Sequence, residues 1–335
     1  MRDLRIAEGY HSPLSIRETQ KAIKFIKDAF QVKLSEALGL ERISAPLIVT
    51  HASGINDDLN GVERKVSFDL GSFDGEMEIV QSLAKWKRMA LKEYGFSVGE
   101  GLYTDMNAIR RDDDVDNIHS IFVDQWDWER VISKEQRTMQ FLQDTVRKIV
   151  SAVVDVKNLV TEKYPELHSS IEREVFFITS QALEDLYPDL SPKQREYEIV
   201  KEHKTVFISQ IGCILKSGKK HDGRSPDYDD WTLNGDLLFW NPVLNEPIEI
   251  SSMGIRVDKD SLLNQLKETN TEERLQFPYH KGIVEGTLPL TIGGGIGQSR
   301  LCLLLLEKVH VGEVHASVWP KEDREECLKH GIQLL

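Results

Sequence analysis

The chain has 335 residues, with 42 lysines and arginines against 55 aspartates and glutamates, for a formal net charge of -13. That length allows two domains of about 150 residues or one large α/β domain. The acidity is the wrong sign for a protein whose main partner is nucleic acid or an anionic membrane.

Residues 1–10 alternate charged and apolar side chains with no signal-peptide core, and the longest apolar run, Leu301 to Leu306, is too short to cross a membrane. Cys213, Cys302 and Cys327 are widely spaced with no CxxC pair, which argues against a disulfide framework or zinc knuckle. A soluble, cytoplasmic protein is expected. Ser15 and Glu18 form a capping box, and Ile23, Ile26, Phe30, Leu34, Ala37 and Leu38 recur at helical spacing until Gly39. Leu40 to Val49 reads as one strand interrupted by Pro46, which places it at an edge or interface. Gln81 to Arg88 mixes cations with Trp86 in a helix start, where a solvated basic face is the default. Ser120 to Trp128 is strand-like, and a long helix is expected from Ser133, boxed by Gln136, with Met139, Leu142, Val146, Ile149, Val153, Val156 and Val160 on one face. Further strands are expected at Val175–Thr179, Thr205–Leu215, Asp236–Trp240 and Pro247–Ser252, and a short helix at Ser191-Pro192. The charged stretch from Lys216 to Trp231 reads as a solvated loop or as a flap over a polyphosphate. No repeat, low-complexity tract or linker divides the chain. The pattern predicts an α+β fold, a mostly antiparallel sheet flanked by helices, in one domain spanning 1–335.

Four segments carry chemistry. In Thr291 to Arg300 the glycines allow close backbone approach to a ligand, and the helix that follows turns its N–H groups toward it, with Arg300 as a cation at its mouth. The dinucleotide fingerprint and the P-loop both fail there, because Gln298 and Arg300 stand where a third glycine is needed and no Gly-Lys-Ser/Thr occurs. Asp236 and Glu249 each sit in an apolar strand, and if the two strands pair as a hairpin both carboxylates can converge on one Mg²⁺; solvated edge charges are the plainer alternative. Alternation puts Gln125, Asp127 and Glu129 on one face of their strand, able to hold an ammonium and a carboxylate, with Asp124, Trp126 and Trp128 on the other. Arg110 and Arg111 precede them in a charged loop suited to phosphate. The ten histidines form no metal-ligand set, and His119 alone lies near these segments.

Together the segments resemble the three signatures of class II aminoacyl-tRNA synthetases: the helix to Gly39 with Leu40, Ile43 and Pro46, then Arg110 to Asp127, then Gly295 to Arg300. Over nearly the whole chain the wording is similar to the ammonia-dependent asparagine synthetase family, in Ser82 to Arg88, Gly99 to Thr104, Val123 to Glu129, Pro226 to Trp231, Asn234-Gly235-Asp236, Ser251 to Asp258 and Ile292 to Arg300. Ile109-Arg110-Arg111-Asp112 departs from the synthetase aromatic-Arg-x-Glu and leaves open which arginine grips the α-phosphate.

The resemblance implies a class II synthetase-like catalytic core that makes asparagine from L-aspartate, ATP and ammonia, through a β-aspartyl-adenylate, in a homodimer. It implies that Arg110 binds the α-phosphate, that Arg300 and Gln298 with Ser251 contact the nucleotide, and that Asp236 and Glu249 hold Mg²⁺. Aspartate is held by Ser82, Lys87, Gln125, Asp127 and Arg256, and Asp57, in Asn56 to Gly61, takes a proton from ammonium. Arg2 stands where a glutaminase half needs cysteine, which favours free ammonia. The expected rivals are a tRNA-charging enzyme, disfavoured by charge and by the lack of room for an anticodon domain, and a synthetase paralogue without catalysis.

Overall fold

In the computed structural model the described residues are 4–57, 59 and 63–335; Arg2 and, beyond Asp57, residues Asp58, Asn60 and Gly61 of the motif above lie outside them. The first helix, α1 (Ile16–Leu38), begins at Ser15 with the expected capping box to Glu18 and ends at Gly39, whose φ of 67° is the left-handed conformation glycine tolerates. The segment read as one strand is two: β1 (Leu40–Arg42) and β2 (Ile48–Thr50), in different sheets, with Pro46 between them. A proline that cannot donate to a ladder marks the crossing. With β3 (Ser67–Asp69) and β4 (Glu76–Ile79), β2 makes a small antiparallel sheet of order β2-β4-β3.

Next come α2 (Ala84–Glu93), β5 (Gly101–Ile109), β6 (Phe122–Val131), α3 (Met139–Lys163), β7 (Phe176–Thr179), α4 (Ser180–Leu186), α5 (Pro192–His203), β8 (Thr205–Ser209), β9 (Asp229–Asn241), β10 (Glu246–Arg256), α6 (Lys259–Thr269), α7 (Pro278–Val284), β11 (Thr291–Gly297), α8 (Gln298–Leu305) and α9 (Lys321–Lys329). The main sheet has eight strands in the order β1-β5-β6-β11-β10-β9-β8-β7. All its inner pairings are antiparallel, and only the outermost strands, β1 on β5 and β7 on β8, pair parallel. This is the α+β, mostly antiparallel architecture expected, with β1 at the edge.

Helices α1, α3 and α8 cover one face of the sheet. There Ile26, Phe30 and Leu34 of α1 meet Leu142, Val146 and Ile149 of α3 and Trp126 and Trp128 of β6 in one apolar core. The Phe30 and Trp126 rings lie 4.7 Å apart. Three boundaries differ from the reading of the sequence. The Ser133–Gln136 box caps only a short 3₁₀ turn, and α3 starts six residues later under Thr138, whose hydroxyl accepts from Phe141 N–H. Strand β8 stops at Ser209 because Gln210 turns to a φ of 62°. The stretch from Lys216 to Trp231 is not a solvated loop throughout, since His221, Ser225, Asp227 and Asp229 are buried and β9 opens at Asp229. Among the described residues no helix is long and apolar enough to cross a membrane.

Candidate active site

On the sheet face away from that core lies a cavity of about 670 Å³. Its floor follows from the alternation of β6: Trp126 and Trp128 point into the core, so Gln125 and Asp127 face the cavity, with Glu129 buried beside them. Strand β11 runs next to β6, pairing Gly293 with Glu129 and Gly295 with Asp127. A Cβ at either glycine would strike the Glu129 carboxylate or the Gln125 amide. The glycines thus lie in a central strand and clear space for the polar side chains of its neighbour.

Helix α2 covers this end, and its cations are not a solvated face: Lys85, Lys87 and Arg88 are all buried. Lys87 Nζ donates to Asp127, to the Trp128 carbonyl at 3.0 Å and to the Gly294 carbonyl at 3.2 Å, with Glu129 3.7 Å away. Arg256, at the end of β10, grips Glu129 at 2.8–3.0 Å and donates its other terminal nitrogen to Asp229. Lys87 thus spends its three N–H groups on protein acceptors, whereas Arg256 spends three of its five and keeps one on each terminal nitrogen. Burial raises the Asp229 carboxyl, with Arg256 pulling it back. Ser82 lines the same end.

The hairpin of β9 and β10 forms a second wall. Asp236 pairs with Ser252 and Leu238 with Glu249, and a register shift falls between Glu249 and Ser251. That bulge corrects the placement of Ser251: its hydroxyl is buried without a hydrogen-bond partner, and Ser252 lines the cavity instead. Asp236 lies behind Arg224, which donates to its Oδ2, while Oδ1 is buried with no well-formed hydrogen bond, facing Ser252. Burial pushes Asp236 up to about 6; Arg224 opposes the rise and the charge of Glu249, on the neighbouring strand, adds to it. A free oxygen on a buried acid beside a second acid fits a divalent cation completed by substrate phosphates. Among the described residues no group of three or more His, Cys, Asp or Glu side chains could hold a metal, so a site closed by protein ligands alone does not fit.

At the far end stand Arg110 and Arg300. Arg110 Nε is buried and unpartnered, whereas Arg111 is exposed and outside the cavity. Arg300 donates only to two carbonyls, Ile118 and Glu249, each at 3.2 Å. Gln298 corrects a second expectation: the start of α8 turns it away from the cavity to donate to Asp105 at 3.0 Å. The next residue faces inward, and Ser299 binds Asp124 through both its N–H and its hydroxyl. His315, missed by the sequence reading, lines this end with His119; its Nδ1 is 2.7 Å from the Ser299 hydroxyl. Asp57 is buried but is not a lining residue; it sits where its charge, after burial, raises the Tyr228 phenol, and Tyr228 lines the cavity. Tyr228, Asp229, Arg224 and Ser252 are further lining residues that alternation did not single out. The density of acids in Pro226 to Trp231 was the available signal.

A sequence model of the family described as aspartate-ammonia ligase matches residues 17–331. Proteins named aspartate–ammonia ligase are similar along the full chain: one from Bacillus cytotoxicus is 57% identical over 97% of this chain and 99% of its own length. One from Lactobacillus acidophilus is 57% identical over 99% of both chains, and one from Ruminiclostridium cellulolyticum 55% identical over 100% of both. Among solved structures, asparaginyl-tRNA synthetase from Pyrococcus horikoshii complexed with asparaginyl-adenylate superposes with a TM-score of 0.65 at 18% identity, covering 91% of this chain and 71% of that one. The Entamoeba histolytica asparaginyl-tRNA synthetase gives a TM-score of 0.65 at 13% identity, covering 90% and 66%. These likenesses show the class II synthetase fold. With the family matched from α1 to the end of α9, the chain belongs to the aspartate–ammonia ligase family.

Proposed function

We propose that this protein makes asparagine from aspartate and ammonia at the expense of ATP, in two steps within the one cavity. In the first, an oxygen of the aspartate β-carboxylate attacks the α-phosphorus, a P–O bond forms, and the bond to pyrophosphate breaks. In the second, the nitrogen of ammonia attacks the carbon of the activated β-carboxyl group, the C–N bond forms, AMP leaves with the shared oxygen, and nitrogen gives up a proton. A carboxylate itself resists ammonia because its leaving group would be oxide; adenylation replaces it with a phosphate.

The observation that carries this reading is that one cavity is lined by Arg110 and Arg300 as well as by Gln125, Asp127 and Arg256, matching a phosphate-bearing nucleotide and an amino acid in one space. Arg110, with a free buried N–H, suits the α-phosphate, and Arg300, bonded only to carbonyls, suits the nucleotide. Asp127 and Gln125 suit the α-ammonium of aspartate, while Lys87, Arg256 and Ser82 suit its carboxylates. Asp57 is assigned to receive the proton of ammonium, since only neutral ammonia is a nucleophile. Asp236 and Glu249 would hold Mg²⁺, which supplies charge neutralisation at the phosphates.

The same reading includes a single catalytic domain, a homodimer through α1 and β1, a cytoplasmic location and no nucleic-acid partner. Its support is the resemblance to class II synthetases, the edge position of β1 and the charge of -13. The test is direct: purified protein with aspartate, ATP and Mg²⁺ yields asparagine and AMP only when ammonium is added. ADP in place of AMP, or aspartyl-tRNA formation, overturns the reading.

A further inference from the structure

Asp227 is fully buried and gathers basic side chains from three elements. Its Oδ2 accepts from Arg274 at 2.9 Å, lies 3.0 Å from His280 Nε2 of α7 and 3.2 Å from Lys85 Nζ of α2, and its Oδ1 accepts from the Ser225 hydroxyl at 2.7 Å. None of these side chains lines the cavity or enters the chemistry above. Replacing such a buried ionic cluster by apolar side chains of similar volume is often neutral or stabilising, so fixed geometry is the better reason for it.

What it fixes can be followed in both directions. Lys85 Nζ also reaches the carbonyls of Gly54 at 3.4 Å and Asn56 at 3.3 Å. The Asn56 side chain accepts from the N–H of Asp57 at 3.0 Å and of Gln81 at 2.8 Å, and the Gln81 amide donates to the Asp57 carbonyl at 2.9 Å. Both backbone groups of Asp57 are thereby held from the Lys85 side. In the other direction the next residue along the chain is Tyr228, which lines the cavity and whose carbonyl is pinned by Val257 N–H at 2.9 Å.

We propose that Asp227 is a positioning residue for the ammonia step: by clamping Lys85 against the Gly54 and Asn56 carbonyls while its own backbone carries Tyr228, it sets the buried Asp57 carboxylate relative to the Tyr228 phenol that lines the cavity. The inference rests on the reaction proposed above. A proton acceptor displaced by about 1 Å loses on the order of 10²-fold in rate, and the loss falls on the step that needs it.

The experiment separates the two steps in the full chain. Asp227→Asn and Lys85→Met are assayed for aspartate-dependent exchange of pyrophosphate into ATP, for asparagine formation with ammonium, and for aspartyl-hydroxamate formation with hydroxylamine, which is already neutral near neutral pH. Expected are exchange and hydroxamate formation within about threefold of the parent, with kcat/KM for ammonium lowered about 10²-fold. Parallel loss of all three activities, or unchanged use of ammonium, overturns the proposal. Lys85→Met keeps Asp227 paired with Arg274 and His280, so it decides the question if Asp227→Asn does not fold. Lack of exchange in the parent protein overturns the reaction itself, a separate outcome.

Discussion

The Arg224 guanidinium satisfies one oxygen of Asp236 and leaves the other buried with no well-formed hydrogen bond. An acid half satisfied in this way costs folding energy unless a cation completes it. Asp236→Ala should raise the Mg²⁺ concentration for half-maximal asparagine formation at least about tenfold. A magnesium titration with unchanged midpoint assigns the metal to other residues.

The same acid sets a pH response. Because burial pushes Asp236 up to about 6, activity that needs its carboxylate should fall as pH drops through that value. Stability moves the opposite way. The ordinary value is 3.8, so the folded chain binds this proton more tightly than the unfolded one, and the stabilising contribution is complete below 3.8 and lost as pH rises through about 6. Asp236→Asn, which resembles the protonated form, should match the parent near about pH 4 and exceed it near about pH 7, by on the order of 3 kcal/mol. Denaturation midpoints that differ equally at both pH values contradict this.

Gly295 leaves room for the Gln125 amide. In Gly295→Ala the new methyl displaces a side chain rather than backbone, so the fold should survive while Gln125 leaves its place. KM for aspartate should rise about tenfold or more, with KM for ATP little changed. Equal changes in both constants place Gln125 away from the amino acid.

Lys87 joins Asp127, Glu129 and two carbonyls without exposure to water. Lys87→Met strands Asp127, while Glu129 keeps Arg256, and should lower stability by about 3–5 kcal/mol, read as a shift in the urea midpoint. A shift below about 1 kcal/mol shows that water reaches the acids and replaces the amine.

Arg300 is only partly buried and bonded to two carbonyls at 3.2 Å, so its removal should leave stability nearly intact. Turnover of Arg300→Ala should fall about 10²-fold or more. Near-normal kinetics move the nucleotide elsewhere.

Much of this architecture is local and can be read from residues in order. The box at Ser15 and the proline after Ser191 start their helices, and the alternation of β6 sends Gln125 and Asp127 to one face and the tryptophans to the other. Arg110, Lys87, Arg256, Ser82 and Arg300 meet those residues in one cavity. What escaped depends on relations that residue counting cannot hold. One bulged residue exchanges Ser251 for Ser252, and the turn from β11 into α8 exchanges Gln298 for Ser299. The burial of Lys85 and Lys87 depends on acids far along the chain, at Asp227 and Asp127. His315 joins through Ser299 and the Phe122 carbonyl, contacts with no local signature.

The two-faced strand β6 has an optical consequence. Trp126 and Trp128 are sealed in the core, yet their backbone neighbours Gln125 and Asp127 line the cavity, and the Trp128 carbonyl itself receives Lys87. Any rearrangement of Lys87 when a carboxylate arrives changes the electric field along that strand. The protein therefore carries native indole fluorophores shielded from aqueous quenchers and one peptide unit away from the cavity lining, so that a ligand entering there should be read as a spectral shift without any added label.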